Sequence, residues 1–208
     1  MTTAAPPCIF LIRHGQTAWS ITGQHTGRTD LALTAQGEEE ARNLRPWLEK
    51  IAFAHVLCSP LQRARLTCEL AGLGGEVKLE PDLLEWDYGD YEGRCSPEIR
   101  RERPGWNAFR DGCPGGESTD QIAARTGRLI GRLTAMRGNV ALFSHGEFSL
   151  ALAARWIGLP VIEGQHFLLG TAAFGILGYN PAHPEMPVIA RWNVSPVLLA
   201  GGFCTAPD

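Results

Sequence analysis

Lysine is almost missing from this 208-residue chain: of its 19 basic residues, only Lys50 and Lys78 are not arginine. With arginine so general, a guanidinium counts as functional only where a motif surrounds it. The formal net charge is -3 and the basic residues form no stripe, so a nucleic-acid-binding surface is not expected. No segment reaches the run of about 18 apolar residues that a membrane helix needs. The stretch Met1 to Cys8 lacks the basic start and long apolar core of a secretory signal, so a cytoplasmic location is expected. Cysteines at 8, 58, 68, 95, 113 and 204 form no C-x-x-C pair and no dense cluster, which argues against a zinc ribbon or a disulfide framework. They read as reduced thiols, most of them buried. No internal repeat or low-complexity tract is present.

What remains is the composition of an ordinary globular protein, 44% hydrophobic and 20% charged, in a length that suits one domain, 1–208. Short β-prone apolar runs alternate with helical stretches, the pattern of a sheet with crossover helices. Cys8 to Ile12 is apolar throughout, as expected of a strand covered on both faces. Thr34 is placed to cap a helix with Glu38, Glu39 and Glu40 in its early turns. His55 to Cys58 reads as a second strand, with Ser59 as N-cap and Pro60 as first residue of a helix reaching Leu73. Residues 78 to 85 give a third extended run. Residues 86 to 117, rich in Gly, Pro and charge, read as an insertion over one end of the sheet. A helix from Ser118 to Met136, a strand from Asn139 to Phe143, a helix to Ile157 and two strands near 171–178 and 187–193 complete the order. The fold class expected is three-layer α/β/α, with a mostly parallel sheet of about six strands.

The polar residues collect at strand ends, where ligands bind in open sheets with crossover helices. Arg13-His14-Gly15 follows the first strand, Ser59 to Arg63 the second and Ser144-His145-Gly146 the fourth, while Glu85 ends the third. Two imidazoles, two guanidinium groups and one carboxylate suit a phosphomonoester, which carries close to two charges and three acceptor oxygens. The forks of Arg13 and Arg63 can each take two oxygens. His14, with Gly15 leaving room beside it, can attack phosphorus as a neutral imidazole if its other nitrogen donates to a backbone carbonyl. His145 would hold the equatorial oxygens, and Glu85 would protonate the leaving alkoxide and later deprotonate water. No metal or other cofactor is called for, because the arginines supply the positive charge.

Leu11-Ile-Arg13-His14-Gly15-Gln16-Thr17 resembles the Arg-His-Gly signature of the histidine phosphatase superfamily, the clan of cofactor-dependent phosphoglycerate mutases and fructose-2,6-bisphosphatases. Cys58 to Ala64 resembles its second arginine motif, Leu84 to Gly93 its acid segment and Phe143 to Gly146 its second histidine motif, in family order. The stretches Arg13 to Ser20, Gly23 to Gly27, Glu85 to Gly93 and Arg110 to Glu117 are most similar to the sedoheptulose-1,7-bisphosphatase-like branch. The resemblance implies a phosphoglycerate mutase-like fold with the insertion covering the carboxyl edge, and a sugar phosphate as substrate. It also implies that Ser20, Gln24, Thr26, Ser59, Tyr88 and Gly146 bind substrate. Ser20 departs from the Asn usual in mutases, and His25 from the Tyr expected in sugar bisphosphatases.

Several alternatives stay open at this stage. A phosphoglycerate mutase would keep the phosphohistidine for a returning product, although the short insertion favours water as acceptor. A phosphate-binding module without turnover is another reading, against which both histidines speak. His14 and His145 with a nearby carboxylate could hold zinc. Arg100 and Arg101 could grip a second phosphate, though an exposed loop pair is the plainer reading, and Trp86 and Trp106 read as packing for the insertion. The tail from Ser195 to Asp208 could cover the site or fray, and a homo-oligomer is neither required nor excluded.

Overall fold

The computed structural model describes residues 6–195. The expected behaviour of the tail beyond Ser195, and of Cys204 within it, lies outside the described residues. Strands β1 (Cys8–Arg13), β2 (Phe53–Cys58), β3 (Lys78–Leu79), β4 (Asn139–Ser144), β5 (Phe174–Asn180) and β6 (His183–Val194) form one sheet in the order β3-β2-β4-β1-β5-β6. β1 with β4, β2 with β4 and β2 with β3 run parallel; β5 runs antiparallel to β1 and to β6. The sheet is thus mixed, with its parallel half carrying the motifs.

Alternation along β1 explains the layers. Ile9 and Leu11 face one side with Val140 and Leu142 of β4, under Leu129 and Leu133 of α6 (Thr119–Ala135) and Phe148 and Leu152 of α7 (Gly146–Trp156). Phe10 and Ile12 face the other with Ala141 and Phe143, under Leu44 and Leu48 of α2 (Ala35–Leu48) and Ala64 and Cys68 of α3 (Gln62–Cys68). Truncating any one of these buried leucines to alanine costs about 2–5 kcal/mol, so the central strands are anchored by the core on both faces. Among the described residues, no helix is long and apolar enough to cross a membrane.

The third expected strand is the main correction to the fold. Only Lys78 and Leu79 pair with β2; Pro81 then starts a single turn of 3-10 helix to Leu83, because proline lacks the N–H that a ladder requires. The cap expected at Ser59 is also displaced. The helix begins at Gln62 with Leu61 as N-cap and no side-chain cap bond, since the Ser59 hydroxyl has another partner, described below. The caps at Thr34 and Ser118 are as the sequence implies: each side-chain oxygen accepts a backbone N–H of the first turn.

The insertion is more ordered than its composition suggests. It holds α4 (Ser96–Glu102) and α5 (Ala108–Asp111) around a core of Trp86, Tyr88, Tyr91, Ile99, Trp106 and Phe109. Trp86 and Trp106 are fully buried, and each indole N–H donates to a backbone carbonyl, of Glu117 and Gly112 respectively. A five-residue helix, α1 (Ala18–Thr22), absent from the sequence reading, faces the insertion across the cavity.

Candidate active site

Register builds the floor of the site. β1 and β4 pair residue by residue from Cys8 opposite Asn139 to Arg13 opposite Ser144, so His14 and His145 leave adjacent strand ends side by side. Their ring centroids are 5.2 Å apart. The next strand end adds Ser59, whose backbone N–H donates to the Phe143 carbonyl. Gly15 packs so tightly on the start of α2 that a Cβ there would be 2.2 Å from the Gly37 carbonyl oxygen. Any larger residue would push the His14 loop off the helix.

Hydrogen bonds fix the protons on both imidazoles. His14 Nδ1 lies 2.7 Å from the Gly15 carbonyl oxygen, which can only accept, so Nδ1 carries the proton and Nε2 keeps its lone pair. His145 has the opposite tautomer: Arg63 Nε donates to its Nδ1 at 3.1 Å, leaving Nε2–H to donate to Ser59 Oγ at 2.7 Å. Burial, with the charges of Arg63 and Arg13 next, holds the His14 pKa well below its ordinary value, against the pull of the Gly15 bond. His145 is lowered well below its usual range by burial, then by Arg63 and His14. Both rings are therefore neutral near pH 7, as a nitrogen nucleophile must be.

Glu85 faces them from the start of the insertion. Its carboxylate accepts the backbone N–H groups of Trp86, Glu147 and Phe148 at 2.8, 3.1 and 2.8 Å. Those bonds and Arg63 favour the charged form, but burial and the neighbouring charge of Glu147 outweigh them and push the pKa up to about 7. A carboxyl half-protonated near neutrality suits a group that must give and take a proton. Arg125 on α6 braces this segment: it donates to the carbonyls of Asp82, Leu84 and Glu85 and forms a buried ion pair with Glu117 at 2.8 Å.

The cavity above has a volume of about 220 Å³. Arg13, His14, Ser20, Gln24, Thr26, Glu85 and Tyr88 line it, as the sequence led one to expect. Gly146, Ser59, His145 and Arg63 lie beneath that lining. Gly146 leaves a gap in which a Cβ would be 3.4 Å from Arg13 Cζ and 3.6 Å from Glu85 Oε2. The bidentate phosphate grip expected of Arg63 needs correction. Its Nη atoms donate to the Thr26, Gly27 and Thr29 carbonyls and its Nε to His145, so the fork holds the 26–29 loop and orients the imidazole. A guanidinium with no exposed surface must spend its donors on protein acceptors. Glu92 completes this loop by accepting the N–H groups of Gly27, Arg28 and Thr29.

Arg13 differs from Arg63. One Nη donates to the Leu169 carbonyl at 2.6 Å, while its Nε is buried without a hydrogen-bond partner. The Tyr88 hydroxyl is also buried; no bond there has good geometry, but the Glu147 carboxylate lies near enough to act as its acceptor, and burial, then the charges of Glu147 and Glu85, push its pKa well above the ordinary value. Unsatisfied donors at a cavity wall are groups that a bound anion or hydroxyl would satisfy. The sequence reading missed Thr17, Trp19, Gly23, His25, Ser96 and Glu147, which also line the cavity. Arg100 and Arg101 are exposed and do not line it. Among the described residues, no three His, Cys, Asp or Glu side chains come together as a metal site. A larger open groove of about 750 Å³ over α3 and β3 contains none of the expected site residues.

The profile of the histidine phosphatase superfamily (branch 1) matches residues 9–195, which contain the sheet apart from Cys8 and all of this site. The chain belongs to the histidine phosphatase superfamily. This histidine phosphatase is 40% identical to the acid phosphatase of Mycobacterium tuberculosis, over 93% of the chain and 97% of that relative. It is 38% identical to the sedoheptulose 1,7-bisphosphatase of Saccharomyces cerevisiae, over 100% of the chain and 97% of that protein. A solved structure of a Mycobacterium tuberculosis protein superposes with a TM-score of 0.81 at 37% identity, over 90% of this chain and 98% of that one. The protein is a phosphatase with the phosphoglycerate mutase-like fold.

Proposed function

We propose that this histidine phosphatase hydrolyses small phosphorylated metabolites of the sugar phosphate kind through a covalent phosphohistidine at His14, without a metal. His14 Nε2 attacks phosphorus as the phosphorus–oxygen ester bond breaks, and the Glu85 proton passes to the leaving alkoxide. Arg13 meets the phosphoryl oxygens with the guanidinium that lines the floor beside His14. Arg63 acts through position and charge and the neutral His145 through position: Arg63 orients His145, and His145, whose Nε2–H is given to Ser59 Oγ rather than left free for the equatorial oxygens, holds that hydroxyl at the floor. Water then attacks the phosphohistidine while the Glu85 carboxylate takes its proton. Phosphate leaves, His14 is regenerated, and Glu85 is protonated again for the next cycle.

The observation that carries this reading is the bond from His14 Nδ1 to the Gly15 carbonyl, which leaves Nε2 as the free lone pair beside Arg13 and Glu85. The polar lining of Ser20, Gln24, Thr26, Ser96 and Tyr88 supports a hydroxylated leaving group. The test is rapid quenching of the enzyme with a phosphoester carrying radioactive phosphorus. A label that is acid-labile, stable to base, mapped to His14 and absent from His14→Ala is expected, in excess chelator as well as without it. Label on another residue, or turnover by His14→Ala, would sink the mechanism. Incubation with 3-phosphoglycerate and 2,3-bisphosphoglycerate is expected to release free phosphate; an isomerised product would make the protein a mutase.

A further inference from the structure

The outer half of the cavity is poor in positive charge. Arg13 is the one Lys or Arg lining it among the described residues, and it stands at the floor beside His14. Residues 1–5 and 196–208 contain neither Lys nor Arg. Arg63 is turned to carbonyls below, and the exposed Arg100 donates its Nε to the Trp106 carbonyl and does not itself line the cavity, although its charge is felt at His25. His25 on the wall contacts Ser96 Oγ at 3.0 Å, and burial lowers its pKa, so it adds no charge near pH 7.

Against this background a carboxylate stands out. Glu147, in the first turn of α7, lines the wall directly after the Ser144-His145-Gly146 turn. Among the described residues no Lys or Arg pairs with it. Its charge is the leading electrostatic influence, after burial, on Glu85, Tyr88 and His25, which places it amid the leaving-group side of the cavity. A second phosphate or a carboxylate on the substrate would meet this charge with no cation in the outer lining to pair with, Arg100 reaching the wall only through its field on His25. A hydroxyl there would donate to it in a charge-assisted bond.

We propose that Glu147 is a specificity-determining residue that accepts hydroxyl donors from the leaving group and repels a second anion. The cavity then takes esters bearing one phosphate on a neutral polyol in preference to bisphosphates and phosphorylated carboxylic acids. This rests on the phosphomonoesterase reading above and narrows its substrate class.

Two matched substrate pairs test it: fructose 6-phosphate against fructose 1,6-bisphosphate, and glycerol 3-phosphate against 3-phosphoglycerate. The wild type is expected to favour the member of each pair with a single anionic group in kcat/KM by about tenfold or more, as one confined like charge implies. Glu147→Gln is expected to cut that preference by about tenfold, and Glu147→Asp to keep most of it. A wild type that favours the members with a second anionic group overturns the inference. So does a Glu147→Gln variant that is folded by circular dichroism and active on p-nitrophenyl phosphate, yet has unchanged ratios. Should no phosphomonoester be turned over by the wild type, the reading beneath fails and the inference with it; flat ratios on an active enzyme overturn the inference alone.

Discussion

At the floor of the cavity His14, His145 and Ser59 each leave the end of a buried strand, whereas Trp19, Gln24 and Ser96 on the wall come from a five-residue helix, a loop and a seven-residue helix. The floor groups are locked by bonds to the core: His14 to Gly15, His145 to both Arg63 and Ser59. The wall is held to the insertion by a few links between residues 24–25 and 93–96, such as Gln24 Nε2 to the Gly93 carbonyl at 2.7 Å and His25 to Ser96. Rigid strand ends keep reacting atoms in place, while short helices on loops can change partners at little cost to the sheet. Chemistry is therefore expected to reside in the floor and selectivity in the wall.

The largest effect that would sharpen this division is loss of the nucleophile. His14→Ala is expected to show no turnover above the buffer rate while still binding vanadate, measured by calorimetry; residual hydrolysis at a tenth of wild type would break it. Glu85→Gln follows, with kcat down by about 10²- to 10⁴-fold. Its pH profile checks the role. The acid form exists below the pKa of about 7, so with a poor leaving group wild-type kcat should fall as pH rises through that value. Glu85→Gln should lack that limb, and Glu147→Gln, which removes a charge that raises the Glu85 pKa, should move it to lower pH.

Arg63→Lys tests the link between the regions, because a single ammonium cannot hold three carbonyls and an imidazole at once. A drop of about 10²-fold in kcat/KM is expected, about 2.7 kcal/mol, with His145 imidazole resonances displaced in NMR spectra. The smallest effect is on the wall: Tyr88→Phe should raise KM by about tenfold, the worth of one hydrogen bond, with little change in melting temperature, since the hydroxyl's neighbouring acceptor, Glu147, is not held in good bonding geometry. A kcat effect from Tyr88→Phe equal to that of Glu85→Gln would erase the distinction between floor and wall.

The floor was legible in the sequence because its residues follow continuous apolar runs, and a buried strand announces where it ends. Arg13, His14 and Glu85 could be placed together before any coordinates. What could not be read was which way a buried fork points: Arg63 has the composition of a phosphate ligand and the bonds of a loop clamp. Ser59-Pro60 has the pattern of a helix cap, but His145 claims the hydroxyl, a contact between residues 86 positions apart. The short helices of the insertion were hidden by their Gly and Pro content, and Ser96 carries no local signal at all. It reaches the cavity only because Gln24 and Cys95 bridge. Glu147 has a local signal, its position just past the second histidine motif, but an acid beside an anion site runs against the charge such a site calls for.

The pairing of β1 with β4 reaches beyond the architecture. In a pleated ladder a displacement of one position turns every side chain to the opposite face. The two imidazoles thus meet only if Leu11 settles against Leu142, rather than against Ala141 or Phe143, as the hydrophobic layers close. A chain that collapsed one notch out of step would keep its helices and its compactness and still be inert. Catalytic competence in this enzyme is thereby a readout of how its central strands zipped together, settled in the apolar interior before any phosphoester arrives.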